Sequence, residues 1–325
     1  MLSIPGFVDL QVNGYRGVNF SSADLTEESF ARACRQVLAS GTAAFLPTVI
    51  TSPIEVYERN LPMLAKVIES GEFRGSLLGL HLEGPFISPA PGAVGVHNPQ
   101  WVRPPDVAFF DRLLDLSRGR IRMLTIAADQ PGADDLARHA AGCGVVVSLG
   151  HHLATPDDLL RLADAGATAL THVGNGVPEM LPRLSNPIWS ALAADGLAGM
   201  FIADGHHLPP EFLKTAIRAK GVGKTIIVSD ASPAAGMPPG RYLMFGTEVV
   251  LEPDGLLHDP VKGCKAGSSA MMLHCMNHLA SLGLLSPEEL LRVGFHNALE
   301  LIGASPRDIP SEPRVHFDRD KQAFV

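Results

Sequence analysis

The chain has 325 residues, 46% of them hydrophobic and 18% charged, a composition typical of a globular protein with a large core. Its net charge is −8 at pH 7 and no segment concentrates Lys and Arg, which excludes nucleic acid and anionic membrane surfaces as natural partners. The cysteines show no Cys-x-x-Cys spacing, which indicates reduced thiols. The sequence shows neither a signal peptide nor an apolar stretch of membrane length, and together with the reduced thiols this predicts a cytoplasmic location.

Eight apolar runs with polar or glycine-bearing ends recur along the chain, and stretches with helical spacing of apolar residues lie between them. In chain order the runs are "GFVDLQVNG", "AAFLPTVIT", "LLGLHLEG", "IRMLTIAAD", "GVVVSLGHH", "ATALTHVGN", "AGMFIADGHH" and "TIIVSDASP". Strands that alternate with helices pair in parallel, and the commonest arrangement of eight such units is an α/β fold of the (β/α)8 TIM-barrel type. An open doubly wound sheet is the alternative.

The segment after the eighth run has a different pattern. "RYLMFGTEVVLEPDGLLHDP" alternates apolar and polar residues around Asp-Gly, which predicts a β-hairpin inserted at about 241–260. Helical spacing then resumes up to about residue 304. Residues 305–325 carry Pro and charge without periodicity and are expected to form a coil tail. The predicted organisation is therefore one barrel over residues 1–304, followed by this tail.

Polar side chains stand at the carboxyl ends of the predicted strands, where a parallel barrel builds its active face. In chain order they are Gln11, Asn13, Glu83, His151, His172, Asp204, His207 and Asp230. Glu83, His151 and His172 offer one carboxylate and two imidazoles, a common shell for a catalytic zinc ion with an open position. Asp230 is the candidate base that takes a proton from water and passes it to a leaving amine.

Each of these residues also has an ordinary structural interpretation. A single histidine at a strand end is usually hydrogen-bonded, and a carboxylate in a βα loop often caps a helix. The coincidence of several such residues on the predicted active face favours a metal site. Asp204 fits a turn in "ADG" equally well, His81 is interpreted as structural and His152 is left undecided. The remaining histidines treated as structural are His206, His274, His278 and His296.

Seven motifs in series resemble those of the N-acetylglucosamine-6-phosphate deacetylases, a family of the amidohydrolase superfamily. They are "PGFVDLQVNG", "HLEGPFI" with "GVHNPQWVR", "SLGHHLAT", "THVGNGVP", "FIADGHHL", "VSDASPAAG" and "AGSSAMM". The resemblance implies a metal-dependent barrel that removes acetate from the 2-amino group of a phosphorylated amino sugar, and it implies a homodimer.

By the same resemblance, the metal ligands are Glu83, His151 and His172, and the catalytic aspartate is Asp230. The resemblance adds two substrate-contacting histidines, His97 in "GVHNP" and His207 in "ADGHH".

Two departures from the family pattern concern the metal and the accessory domain. Gln11-Val12-Asn13 stands where many amidohydrolases have His-x-His for a second metal, so one divalent ion is expected, with Gln11 at most contacting its water. Zinc is the first choice for this ion, and iron and manganese are the alternatives. The small β-sandwich that relatives form from residues before "PGF" and a C-terminal strand pair is expected to be absent or vestigial.

A further departure concerns the substrate. The segment "NGVPEMLPRLSNP" keeps Asn175 and Arg183 at positions that match phosphate-binding residues of relatives, but it lacks their surrounding Glu-Pro-Gly. Gly174 and Gly176 replace bulkier residues, and Gly176 is counted among the expected substrate-binding positions. Arg183 is equally consistent with a solvated loop charge.

The leading expectation is deacetylation of N-acetylglucosamine 6-phosphate in amino-sugar catabolism. The first alternative is an amidohydrolase that acts on an unphosphorylated or different N-acyl substrate. The second alternative is a barrel that keeps a metal or a sugar without catalysis.

Overall fold

The computed structural model describes residues 2–312 and 314–325, and it contains the eight expected strands. They are β1 (Phe7–Val12), β2 (Thr42–Ile50), β3 (Leu80–Glu83), β4 (Ile121–Ile126), β5 (Val146–Leu149), β6 (Ala167–Leu170), β7 (Ala198–Ile202) and β8 (Thr225–Val228). Neighbours pair in parallel in chain order. A parallel bridge between Val12 and Ala231 joins the two edges, which closes the predicted barrel and shows that the open-sheet alternative is wrong.

A helix follows every strand of the barrel. These are α1 (Glu27–Leu38), α2 (Ile54–Glu69), α3 (Val107–Leu116), α4 (Ala133–Gly142), α5 (Pro156–Asp164), α6 (Pro187–Ala193), α7 (Pro210–Lys220) and α8 (Met272–Ser281). The chain continues into α9 (Pro287–Leu291), a π-helical turn (Arg292–His296) and α10 (Asn297–Leu301). Shorter 3-10 turns cover Gly71–Phe73, Pro99–Trp101, Val222–Lys224 and Pro306–Asp308. In the part of the chain that the structure describes, no helix combines the length and apolarity needed to cross a membrane.

Two apolar clusters divide the inside of the barrel from its helical layer. Leu46 and Met200 belong to the inner cluster, whereas their strand neighbours Phe45 and Phe201 belong to the outer one, as the two-residue period of a strand requires. Phe295, from the π-helical turn, packs with the inner cluster. The lower interior of the barrel is therefore filled with side chains, and the polar residues are left at the carboxyl ends of the strands.

An antiparallel sheet of four strands lies in sequence between β8 and α8; we call it the insert sheet. Its strands are Gly240–Met244, Thr247–Leu251, Leu257–Asp259 and Cys264–Lys265, paired in chain order. Asp254-Gly255 lies in the turn between the second and third of these strands, within the segment 241–260 where a hairpin was predicted, and the sheet extends beyond it. The insert sheet has its own apolar cluster, formed by Ala234, Met244, Val249, Leu251, Leu257 and Ala266.

The expectation of a coil over residues 305–325 is wrong for two segments. Val315–Asp318 and Ala323–Phe324 form a three-stranded antiparallel sheet with Ser3–Ile4. The two segments are too short to show a clear period, and their partner lies at the other end of the sequence. A separate short pair joins Gly14–Tyr15 to Val18–Asn19.

Candidate metal centre

Three side chains from three strands converge at the mouth of the barrel. Glu83 ends β3, and His151 and His172 follow β5 and β6. The Nε2 atoms of His151 and His172 lie 3.1 and 2.8 Å from Glu83 Oε1, and 3.1 Å from each other. All three residues are buried. The structure thus brings together the three metal ligands that the sequence predicts.

The hydrogen bonds around His151 show why a cation fits this cluster. His151 Nδ1 donates to the carbonyl oxygen of Ala93 at 2.7 Å, so in the neutral ring Nε2 carries a lone pair. That lone pair faces a carboxylate oxygen and a second imidazole nitrogen. Two acceptors at such distances repel unless a proton or a metal ion lies between them. The Ala93 carbonyl also fixes the ring orientation, as outer partners of metal-bound histidines commonly do.

The donor set and its spacing fit a tetrahedral divalent ion. Zinc bonds of about 2.0 to 2.2 Å to nitrogen and oxygen place neighbouring ligand atoms about 3.4 Å apart. The observed separations of 2.8 to 3.1 Å are a few tenths of an ångström shorter. A small outward rotation of the side chains is therefore enough. Gln11 Nε2 donates to Glu83 Oε1 at 2.9 Å and holds the carboxylate from the side of β1.

His97 lies beside the same cluster. Its ring packs edge-on against His151 with centroids 4.5 Å apart, and Glu83, His97 and His151 offer ligand atoms within 4.8 Å of one another. His172 contacts both Glu83 and His151 directly, which is consistent with its prediction as the third ligand. Burial lowers the pKa of His97 to about 3, which keeps its ring neutral, and its Nδ1 has no partner among the described residues.

The backbone at the centre is in an unusual conformation. His151, His172 and Asp230 have φ angles of 53°, 29° and 50°, in the left-handed region that residues with a Cβ atom seldom adopt. Such residues cost of order 1–3 kcal/mol each and cluster at functional sites. All three directly follow or lie close to barrel strands, so the strained backbone turns their side chains toward the barrel axis.

Asp230 lies within the same polar group, beyond β8. Its Oδ1 accepts a hydrogen bond from Asn13 Nδ2 at 2.7 Å, and its side chain is buried. Burial, together with the charge of Glu83, raises the pKa of Asp230 to about 7. A cation at the cluster would act in the opposite direction. The structure therefore places Asp230, the predicted base, in the same cavity as the cluster.

Asp204 is the orienting partner of His207. The Asp204 carboxylate accepts from His207 Nδ1 at 2.7 Å and from Ser268 Oγ at 2.7 Å. Burial opposes ionisation, but the hydrogen bonds from His207 outweigh it and hold the pKa of Asp204 well below its usual range. Asp204 is thus more than a turn residue, because it fixes the ring of a histidine that lines the cavity.

A polar layer lies directly beneath the cluster. His81 Nδ1 donates to the Leu10 carbonyl at 3.0 Å, and burial lowers its pKa to about 4. Its neutral Nε2 therefore accepts from Thr125 Oγ1 at 2.7 Å, and Thr125 is linked to Thr171 at 2.7 Å. The structural role expected for His81 is consistent with these contacts. His152 is also buried, and its Nδ1 accepts from the backbone N–H of Ala154 at 3.1 Å.

The cluster opens into a cavity of about 500 Å³, a volume suited to a small substrate. Asn13, His97, Asn175, Gly176 and His207 line it, together with the cluster and Asp230. Gly176 lies against the cluster, since a Cβ atom there would come 2.9 Å from His151 Nδ1.

Arg183 does not lie among the residues that line this cavity. It is exposed, and its backbone carbonyl accepts from Trp189 Nε1 at 3.0 Å. The last strand of the insert sheet and the turn before it contribute Lys262, Cys264 and Lys265 to the cavity wall instead. Sequence reasoning missed these residues because strand-end position identifies only side chains on the barrel itself.

Comparison with known proteins places these features in a wider group. Residues 2–306 match the model of the amidohydrolase family. The chain is 37% identical to human N-acetylglucosamine-6-phosphate deacetylase over 92% of its length and 74% of that protein. It is 30% identical to N-acetylgalactosamine-6-phosphate deacetylase of Shewanella sp. (strain ANA-3), over 96% of this chain and 75% of that protein.

A solved structure is similar over almost the whole chain. It is N-acetyl-D-glucosamine-6-phosphate deacetylase from Mycobacterium smegmatis, a mutant in complex with N-acetyl-D-glucosamine-6-phosphate. The TM-score is 0.87 at 27% identity, covering 99% of this chain and 84% of that one.

Proposed function

Because the chain belongs to the amidohydrolase family, and within it to the N-acetylglucosamine-6-phosphate deacetylases, we propose that it hydrolyses N-acetylglucosamine 6-phosphate to glucosamine 6-phosphate and acetate. One observation carries the proposal beyond family membership. A carboxylate and two imidazoles converge within 3.1 Å, in the same cavity as a buried acid–base aspartate.

Glu83, His151 and His172 would hold one divalent ion, with zinc as the first choice for a carboxylate–imidazole set and iron and manganese as alternatives. When bound, such an ion polarises the amide carbonyl and lowers the pKa of water. Gln11 orients Glu83 through its 2.9 Å hydrogen bond, and the Ala93 carbonyl orients His151. These two contacts hold the ligands in position before the substrate arrives.

Asp230 performs the proton transfers. Its carboxylate takes a proton from the attacking water while the amide carbon becomes tetrahedral, and it then donates that proton to the departing amine. Asn13 restrains one carboxylate oxygen, which leaves the other free to face the reacting group. Burial favours the protonated form of this carboxyl and a neighbouring cation favours the ionised form, so Asp230 can hold the proton and release it in turn.

The remaining cavity residues position the sugar. His207, fixed by Asp204, and His97 line the cavity, and Asn175 and Gly176 form the wall beside His151. With this backbone, a side chain at position 176 would press on His151, one of the proposed metal ligands.

We assign the substrate phosphate to the side of the cavity formed near the insert sheet. Lys262 and Lys265 are the cations besides histidine among the described residues that line the cavity. Lys262 Nζ also donates to the Val96 carbonyl at 3.2 Å, next to His97. An ammonium group there can form charge-assisted hydrogen bonds with a phosphate.

We further propose that the protein acts as a homodimer in which Arg183 serves the second copy. Met180, Leu184 and Trp189 flank Arg183 and are 87%, 81% and 50% exposed. An exposed apolar group of this kind is typical of an interface. Arg183 lies outside its own cavity but beside this surface, so a second copy could receive its guanidinium.

The assay that tests the proposed activity supplies zinc-loaded protein with four substrates and measures acetate. These are N-acetylglucosamine 6-phosphate, N-acetylgalactosamine 6-phosphate, and the two corresponding unphosphorylated sugars. We expect turnover of the first and a much lower kcat/KM for unphosphorylated N-acetylglucosamine. Turnover of unphosphorylated sugars alone would support the alternative of a different N-acyl substrate. A metal-loaded protein inactive on all four would remove the proposal.

A further inference from the structure

A second group of metal-ligating side chains lies on the outer helical layer, away from the barrel mouth. Asp111 belongs to α3, His139 to α4, and Cys143 is the residue that follows α4. Each offers one ligand atom, and these three atoms lie within 4.8 Å of one another. We propose that this group binds a divalent cation that accepts thiolate ligands, such as zinc. The proposal does not depend on the deacetylase activity.

The positions of the three residues on α3 and α4 bring their ligand atoms close together. His139 and Cys143 are four residues apart, which places both on the same face at the end of α4. Asp111 approaches from the neighbouring helix α3, and its Oδ1 lies 2.6 Å from His139 Nε2. The Cys143 Sγ atom lies 3.9 Å from the same nitrogen. Phe110 packs edge-on against the imidazole, with ring centroids 6.1 Å apart, and restrains its rotation.

Asp111 and Cys143 both approach the same nitrogen of His139, and this arrangement excludes a proton relay from the thiol through the imidazole to the carboxylate. In a nucleophilic Cys–His–Asp arrangement, thiol and carboxylate contact opposite nitrogens of the ring. Here both approach Nε2, so the carboxylate cannot orient the ring for the thiol. Tetrahedral zinc with bonds of about 2.0 to 2.3 Å places ligand atoms about 3.4 to 3.6 Å apart, and the observed 2.6 and 3.9 Å lie on either side of that spacing.

Accessibility and ligand type indicate the occupant. The Asp111 and His139 side chains are 49% and 37% exposed, and Cys143 is exposed. A thiolate with an imidazole favours zinc over calcium or magnesium, which prefer oxygen ligands. Three protein ligands leave a position open to solvent. Such an ion would join α3 to α4 on the surface of the barrel.

Cobalt spectroscopy of the full chain separates this site from the barrel centre. A thiolate ligand produces an intense near-ultraviolet charge-transfer band with Co²⁺, whereas the carboxylate and imidazoles of the barrel centre cannot. We expect metal-free wild type to develop this band on titration with Co²⁺, and added Zn²⁺ to abolish it. We expect the band to be absent in Cys143→Ser.

Two variants serve as controls. Cys264→Ser removes the half-buried thiol of the main cavity and should keep the band, and Glu83→Gln should also keep it. Asp111→Asn should raise the Co²⁺ dissociation constant about tenfold or more, since even outer-shell partners of metal ligands contribute that much. No band in wild type, a band that persists in Cys143→Ser, or one lost in Cys264→Ser would overturn the proposal.

Discussion

At the scale of single residues, the centre groups a carboxylate oxygen and two imidazole nitrogens that need a proton or a metal ion between them. His151 Nδ1 is committed to the Ala93 carbonyl, so its Nε2 lone pair faces Glu83 and His172. His151 and His172 also have left-handed backbone conformations. Holding the ligand atoms at one point therefore has both an electrostatic cost and a cost in backbone strain.

Asp230→Asn tests the proton-transfer role. We expect kcat to fall by about 10²- to 10⁴-fold, because an amide cannot accept the water proton. Metal content measured by elemental analysis should stay at the wild-type value, since Glu83, His151 and His172 are intact. An Asn variant that keeps wild-type kcat would show that another group is the base.

Lys262→Met tests the phosphate assignment. Loss of one charge-assisted hydrogen bond costs about 1.5–3 kcal/mol, so kcat/KM for N-acetylglucosamine 6-phosphate should fall about 10- to 150-fold. The value for unphosphorylated N-acetylglucosamine should not change. Equal losses on both substrates would mean that Lys262 acts only by holding the Val96 carbonyl. Arg183→Ala, measured in parallel, reports whether a second copy supplies a further cation.

At the scale of elements, the seam between β1 and β8 is held by side chains as well as by backbone bonds. Asp9 is fully buried in β1 and accepts hydrogen bonds from Ser229 Oγ at 2.5 Å and from Ser229 N at 3.2 Å. Asn13 N donates to the Ala231 carbonyl at 2.8 Å. The seam therefore joins the first and eighth strands close to Asn13 and Asp230, which lie just beyond the ends of these two strands.

This seam should make stability depend on pH. Burial raises the pKa of Asp9 to about 7, against about 3.9 for an unfolded aspartate. The folded state then binds the proton more tightly, so the stability contributed by Asp9 is full below about pH 4 and is lost as the pH rises through 7. In wild type, the free energy of unfolding should therefore fall between pH 5 and pH 8. In Asp9→Asn, this fall, measured by urea unfolding, should be smaller than in wild type by about 1–3 kcal/mol.

The comparison with wild type isolates Asp9, because other groups such as Asp230 titrate in both proteins. An unchanged pH dependence in Asp9→Asn would show that the carboxyl of Asp9 stays ionised in the seam.

The barrel was predictable from local pattern because each strand carries its own apolar run, and the centre followed because strand ends share one face. Lys262 and the carbonyl of Ala93 were not predictable. The first depends on how the segment after the third insert strand docks over the cavity, and the second is a backbone group without a side-chain signal. The pairing of Ser3–Ile4 with Val315–Asp318 joins segments that local periodicity cannot connect.

At the scale of the whole molecule, a bound ion would link β3, β5 and β6 through one point. Ligands that bind only the folded state stabilise it by about 2.7 kcal/mol at a free concentration one hundred times the dissociation constant. Chelation should therefore lower Tm, and added zinc should restore it. In Glu83→Gln the shift on chelation should be much smaller. An equal shift in both proteins would place the stabilising ion elsewhere.

The filled barrel interior described above gives the cavity a closed floor. The acetyl group would lie against this floor, near Glu83 and Asp230, while the sugar phosphate would lie toward Lys262. In this orientation the amino sugar would lie between acetate and the mouth of the cavity, and it would block the exit of acetate until it has left. Acetate is thus expected to be the last product released, and to inhibit turnover in competition with the incoming sugar.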